Sequence, residues 1–296
     1  MKKIVSPRFF FYLFYGLVLT AVLLYVRFPS GTLKTYCEHR LEQFTGVERC
    51  SIGEIVYHFP FGFEAKRVKL LMKPGNQGRI RIDAFHLSPA GKDIFGQWRL
   101  EGSCYGGTFS ALLEIKPKRK AYVLQKIRIE NIDLSVFSSS MPVMGRELTG
   151  QLFFSGGYKA RFDKPMAGDG EGRLVLNKGT VPLTRSLLTL TAIDFDKLEM
   201  KLQLQDHQVL IREGKMQGKD MDAEVTGMVR APFLPPEGRL QLSGLLFLHD
   251  TFLAERPVIS RFIGKLKQRS GKPALRFNVG GTMEKPTFRL ASAGTM

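Results

Sequence analysis

Cysteine, histidine and tryptophan are scarce in this chain of 296 residues, which has three Cys, five His and one Trp. Three cysteines exclude a disulfide-dense mini-scaffold. His39, His58, His86, His207 and His249 are scattered, with no HExxH and no pair at i, i+4, so the ligand geometry of a zinc protease is missing. A GxSxG nucleophile elbow is also lacking. Acids are in deficit, with 27 Asp and Glu against 44 Lys and Arg, a formal charge of +17. An excess of that size ordinarily points first to nucleic acid, anionic lipid or an acidic partner.

What is present is globular. The chain is 44% hydrophobic and 24% charged, too apolar for disorder as its main state. Thirty Gly and 15 Pro, without a repeat of period three, exclude collagen and a long coiled coil. The length admits one large or two modest domains.

The one long hydrophobic run lies at the start. From Phe9 through Gly16 to Val26, 18 consecutive residues are uncharged. At about 1.5 Å per residue they make ~27 Å of helix, close to the ~30 Å hydrocarbon core of a bilayer. Lys2, Lys3 and Arg8 precede the run and no acid appears before Glu38, which predicts a cytoplasmic N-terminus with the bulk of the chain across the membrane. A cleaved signal peptide shares the basic start. The run is longer than its usual ~7–15-residue core, however, and Leu24 to Pro29 offers no small-x-small cleavage site, so an uncleaved anchor is expected.

Beyond this segment Ser30 reads as the cap of a short amphipathic helix running to Phe44, with Leu33, Tyr36, Cys37, Leu41 and Phe44 on one stripe and Gly46 as its stop. From Ile52 onward the period becomes two. It is cleanest at Lys197–Gln205, where Leu198, Met200, Leu202 and Leu204 alternate with charged or amide residues. Ile80 and Ile82, Ile127 and Ile129, Leu174 and Leu176, Leu240 and Leu242, and Leu275, Phe277 and Val279 repeat the pattern. An antiparallel sheet with one solvated face follows. If the sheet is open, Leu198, Met200, Leu202, Leu204, Leu240 and Leu242 line an apolar groove; if it is closed, they are ordinary core.

Near Asn131 the phase slips, because Ile127 and Ile129 are odd whereas Ile132, Leu134 and Val136 are even. Either a bulge or two separate strands would produce this. Asp163-Lys164-Pro165 with Gly168–Gly172, and Pro232 with Pro235 and Pro236, read as loops or module joints. They suggest a division into 1–29, 30–165 and 166–296. Late in the chain Ile259, Phe262, Ile263 and Leu266 have spacing i, i+3, i+4, i+7, a second amphipathic helix opened by Pro257, which either caps the sheet or rests on a membrane.

Candidate chemistry is thin. Gly168-x-Gly170-x-Gly172 precedes an alternating strand rather than a helix, so it reads as a hairpin turn and not a phosphate loop. Asp194, Asp196 and Glu199, and Asp220, Asp222 and Glu224, form acidic clusters that solvated strand edges explain as well as a cation site does. Cys37 and Cys50 flank the first short helix and are the pair available for a disulfide in an oxidising compartment, leaving Cys104 free. Basic runs lie at Lys116, Lys118, Arg119 and Lys120, and at Lys265, Lys267, Arg269 and Lys272. Export across a membrane removes nucleic acid as their partner and favours anionic lipid or an acidic protein surface.

The order of features is itself distinctive: a basic N-terminus, one span, a helix ending Phe44-Thr45-Gly46, a Phe59-Pro60 strand, then alternating strands. Later come Gly172-Arg-Leu-Val-Leu, Leu187 to Phe195, Gly214-x-x-x-Gly218 and Val225-x-Gly227, closing with Val279 to Phe288 around Gly281-Thr282-Met283-Glu284-Lys285-Pro286. This resembles the type II secretion system protein N (GspN) family, and more distantly the AsmA-like periplasmic proteins. The resemblance implies a mainly β fold, an antiparallel curved half-barrel with an N-terminal transmembrane helix and two short amphipathic helices. It further implies a non-enzymatic, single-pass inner-membrane component whose periplasmic domain docks other secretion proteins, with no catalytic residues and no cofactor. The AsmA-like kinship implies phospholipid acyl chains on the apolar face.

Overall fold

The structure, a computed structural model, describes residues 7–26, 29–43, 47–58, 61–72, 78–91, 96–140, 147–187, 190–230, 238–257, 259–261, 274–282 and 285–290. The hydrophobic run folds as α1 (Pro7–Val26), a helix of 20 residues. Its described aromatic side chains, including Phe9, Phe11 and Phe14, are exposed. Thr20 Oγ1 donates to Gly16 O at 2.7 Å, which satisfies the hydroxyl inside the helix. Among the described residues no helix is long and apolar enough to cross a membrane, so the expected span at Phe9, Gly16 and Val26 is present as a helix without meeting that criterion.

A second helix, α2 (Ser30–Glu42), follows. Ser30 is its first residue and not its cap; Pro29 holds the cap position and no side chain caps the end. Leu33 N–H closes the first turn on Pro29 O at 3.0 Å. Phe44 and Gly46 lie outside the described residues.

The rest is a meander. Strands β1 (Val47–Ser51) and β2 (Glu54–His58) lie end to end along one border, both paired with β3 (Gly62–Met72). Then come β4 (Arg79–Pro89), β5 (Gln97–Cys104), β6 (Gly107–Lys116), β7 (Ala121–Asp133), β8 (Gln151–Arg161), β9 (Lys164–Leu187), β10 (Leu190–Gln205), β11 (Gln208–Gln217), β12 (Met221–Arg230), β13 (Arg239–Leu248), β14 (Leu275–Gly281) and β15 (Pro286–Leu290), each antiparallel to the one before. They form one large, open, curved sheet of 15 strands among the described residues, and β15 does not pair back onto β1 or β2.

Tight turns dictate this order. Tyr105-Gly106 and Asp206-His207 connect their strands in two residues, all four at positive φ, the geometry whose twist matches a right-twisted hairpin. The phase slip near Asn131 is a pair of bulges inside the continuous strand β7. Register shifts fall between Leu124 and Ile127 and between Ile129 and Ile132, with Lys126 at φ 50° and Asn131 at φ 58°. Such bulges bend a strand and increase its local twist.

Two sequence expectations need correction. Leu134 and Val136 do not continue the strand; they begin α3 (Leu134–Ser140), because Asp133 Oδ1 accepts from Ser135 N at 2.8 Å and from Ser135 Oγ at 2.6 Å, a cap that starts a helix. Lys164, Pro165 and Gly168–Gly172 are not a loop or turn but the first part of β9, and the sheet runs unbroken across residue 165. After β13 the short helix α4 (Asp250–Ala254), not foreseen, precedes the expected late helix. Of that helix Ile259 is described and half-buried, whereas Phe262, Ile263 and Leu266, like Pro232, Pro235 and Pro236, lie outside the described residues.

Candidate functional site

Antiparallel register converts the alternating sequence into apolar rows that cross the sheet. Leu202 lies opposite Gly172 on β9 and Ile211 on β11; Ile211 faces Gly227, which faces Leu242, then Val279 and Phe288. One step along, Ile129, Phe154, Leu174 and Met200 continue through Gly214, Val225, Gly244 and Phe277. Leu198 extends a third row through Met216 and Ala223 to Leu246, and Leu204 a fourth through Val209 and Val229 to Leu240. All six expected groove residues, Leu198, Met200, Leu202, Leu204, Leu240 and Leu242, therefore share one face.

That face is only half covered. Every one of those six side chains is intermediate in exposure, and so are Leu152, Phe154, Leu174, Leu176 and Val209. In a sandwich a second sheet about 10 Å away would bury them. Among the described residues the apolar face is open over its middle.

Glycines smooth this floor. The Phe154 ring lies against Gly172 on the adjacent strand, where an added Cβ would meet its Cε2 and Cζ at 2.5 Å. Phe277 lies in the same way against Gly244 and Tyr158 against Gly170, with added-Cβ contacts of 2.7 and 3.1 Å. Phe109 covers Gly102 likewise. An aromatic ring laid over a cross-strand glycine recovers the contact that the glycine lacks.

Among the described residues, closure comes only at the ends. At the N-terminal border Leu33, Cys37 and Leu41 of α2 pack on Cys50, Ile52, Ile55 and Val68. The same helix caps the edge. Glu42 Oε1 accepts from Cys50 N at 3.0 Å and Glu38 Oε1 from Ile52 N at 2.7 Å, carboxylates standing where a further strand would place carbonyls. At the other end Met221, Leu246, Leu275 and Phe277 form a buried cluster, with Leu253 and Ile259 packed against it. Phe252 of α4 is 1% exposed, under the Arg256 guanidinium at 4.2 Å.

His249 fastens that second lid. Its N–H donates to Asp220 O at 3.1 Å, its Nδ1 sits 2.9 Å from Lys219 O and its Nε2 sits 3.2 Å from Asp222 Oδ2. A carbonyl on one ring nitrogen and a carboxylate on the other both call for a donor, so the imidazolium is favoured. The hydrogen bond to Asp222, followed by that to Lys219, raises the His249 pKa.

The opposite face is charged. Arg173 and Lys197 flank Glu199 at 2.8 and 3.3 Å, and Lys201 and Lys215 flank Glu213 at 2.6 and 2.8 Å. The two lysines hold the Glu213 carboxyl down to about 2. Glu199 and Glu213 are thus engaged in ion pairs across and along their strands, and Asp194 accepts from Thr180 Oγ1 at 2.6 Å. Among the described residues no group of three His, Cys, Asp or Glu is placed to hold a metal.

Cys37 and Cys50 come into the same cluster, yet both are free thiols, as is Cys104. Burial, then Glu38, Glu42 and Cys37, push the Cys50 thiol up to about 11, and burial followed by Glu38 raises Cys37. The residues that sequence reasoning missed are the ring–glycine pairs and the edge-capping Glu38 and Glu42.

Comparison with family models, with curated proteins and with solved structures finds no match to this chain.

Proposed function

We propose that the chain is a non-enzymatic, membrane-anchored envelope protein that carries lipid acyl chains along the apolar face of its sheet. The observation behind this reading is the set of half-buried rows crossing β7 to β15 with no second layer over their middle among the described residues. Nine strands at ~4.8 Å spacing give a floor ~38 Å long, more than the ~30 Å of a bilayer's hydrocarbon, so an extended acyl chain fits along it. Each methylene moved from water onto such a surface contributes about 0.8 kcal/mol. Single-pass anchoring in the bacterial inner membrane, with a cytoplasmic N-terminus and a periplasmic sheet, rests on the sequence alone: the uncharged run Phe9–Val26 and the basic residues before it. Mass spectrometry of gently purified full-length protein tests the idea. Phospholipid should copurify with the parent and be lost from Leu202→Asp; lipid-free parent protein would sink it.

A second reading, a component of the type II secretion system docking other secretion proteins, is favoured by the GspN-like residues. Gly172 to Leu176 lie in β9, Val225-x-Gly227 in β12, and Val279 to Phe288 span the β14–β15 hairpin at an open sheet border. Such a border accepts a strand from a partner. Unchanged secretion after deletion of the gene, with no secretion protein copurifying, would remove this reading.

A further inference from the structure

Two adjacent hairpin tips carry a surface that neither the apolar rows nor the charged face accounts for. The connection after β6, Pro117 to Lys120, and the turn between β8 and β9, Phe162-Asp163, lie side by side because Ala121 pairs with Arg161. They are tied together by Phe162 N–H donating to Lys120 O at 2.9 Å. Residues 116–122 and 159–165 hold seven Lys and Arg against one acid, Asp163.

Some of this charge is already paired. Asp163 is held by Arg161 at 2.9 and 3.1 Å, Lys116 lies 3.5 Å from Glu114, and Lys159 lies 3.5 Å from Asp169. Lys118, Arg119, Lys120 and Lys164 are exposed; the first three have no ion-pair partner among the described residues, and Lys164 only helps Arg161 to hold the Asp163 carboxyl below its usual range. In their midst stands the Phe162 ring, 51% exposed at a turn where a polar residue would serve the fold as well. It is braced from behind. The Tyr122 ring is 5.6 Å away, Tyr158 is 6.3 Å from Tyr122, and both hydroxyls donate to Pro165 O, at 3.0 and 2.8 Å.

We propose that this paired tip is a contact site for an anionic lipid surface, with Phe162 entering the interface while Lys118, Arg119, Lys120 and Lys164 meet headgroup phosphates. A rigidly held aromatic ring encircled by flexible cations is matched by a membrane interface, which offers apolar depth and a layer of negative charge together. An acidic protein surface would satisfy only the charge. The proposal stands on the tip's own side chains and does not depend on lipid in the apolar trough.

Tryptophan fluorescence tests it on the full chain. Phe162→Trp and the parent, whose single Trp98 sets the baseline, are mixed with vesicles of brominated phosphatidylcholine, with and without phosphatidylglycerol. Quenching beyond the baseline is expected on the anionic vesicles only, and it should weaken at about 0.5 M salt, where the screening length falls below ~5 Å. Adding Lys118→Glu, Arg119→Glu and Lys164→Glu should reduce partitioning about a hundredfold or more, at roughly one decade or slightly less per cation lost. Lys118→Arg with Lys164→Arg should leave it unchanged. Equal quenching on neutral vesicles, or quenching that survives charge reversal, overturns the proposal. So does no quenching on anionic vesicles, which would leave an acidic protein as the partner. Leu202→Asp should quench like the parent tip, which separates failure here from failure of the acyl-chain reading.

Discussion

The Phe154 ring lies against Gly172 on the next strand, so close that a Cβ at Gly172 would stand 2.5 Å from it. The glycine is needed for the ring to keep its place, and the ring restores the packing the glycine gives up. Gly172→Val should therefore lower unfolding stability by about 1–3 kcal/mol, the usual cost of forcing a side chain into an occupied site. Urea denaturation measures this. Combining it with Phe154→Ala should recover part of the loss, because the two substitutions act on one contact.

Leu202→Asp separates an open face from a closed core by stability alone. A carboxylate placed on the half-wet surface keeps much of its hydration, and the loss should stay below about 2 kcal/mol. Burial in a closed core would cost several kcal/mol or unfold the chain. A loss of the larger size in a urea titration would argue for a covered face.

Glu38 accepts the Ile52 N–H at the sheet border. Glu38→Ala leaves that amide to water or without a partner, and the loss should be about 1–2 kcal/mol. Faster hydrogen exchange at Ile52 and Cys50 is the direct sign. Glu38→Gln, which keeps an acceptor oxygen, should recover most of the protection.

His249 gives the second lid a pH dependence of defined sign. Its pKa is raised in the folded chain, so its contribution is fully present below the unfolded value near 6.5 and disappears as pH rises through the folded value. The His249 and Asp222 side chains are 35% and 46% exposed, which limits the effect to a few tenths of a kcal/mol. Parent protein should lose slightly more thermal stability between pH 6 and pH 8.5 than His249→Gln does.

Cys50, with its thiol pushed up to about 11, should react with iodoacetamide at pH 8 more than tenfold more slowly than an ordinary thiol near 8.5, because the scarcity of thiolate outweighs its greater intrinsic nucleophilicity. Peptide mapping over a time course checks this. Alkylation of Cys50 at the ordinary rate would mean that α2 does not cover it.

Much of the sheet was readable in sequence because its rule is local. Lys197–Gln205 alternates, and β10 carries that alternation. The phase slip at Asn131 allowed a bulge or two separate strands, and the structure places a bulge there with Asn131 at positive φ. Where local rules competed, the stronger pattern misled. Ile132, Leu134 and Val136 looked like a strand, yet the Asp133–Ser135 cap turned the chain into α3. Gly168–Gly172 looked like a loop because the rings that occupy its missing side chains, Phe154 and Tyr158, belong to another strand.

By itself the amino-acid order determined which side of each strand is apolar, where charge gathers, and that the first helix is uncharged from Phe9 to Val26. Whether the apolar side becomes a core or an open floor was decided only in three dimensions. The same alternation serves a closed barrel and an open trough alike, and the difference lies in whether the last strand returns to the first. That depends on twist and bulges accumulated over fifteen strands, and here it leaves β15 unpaired with β1 and β2. The meeting of Phe162 with Lys118, Arg119 and Lys120 is likewise tertiary, since 42 positions separate Lys120 from Phe162 and only the pairing of β7 with β8 sets them side by side.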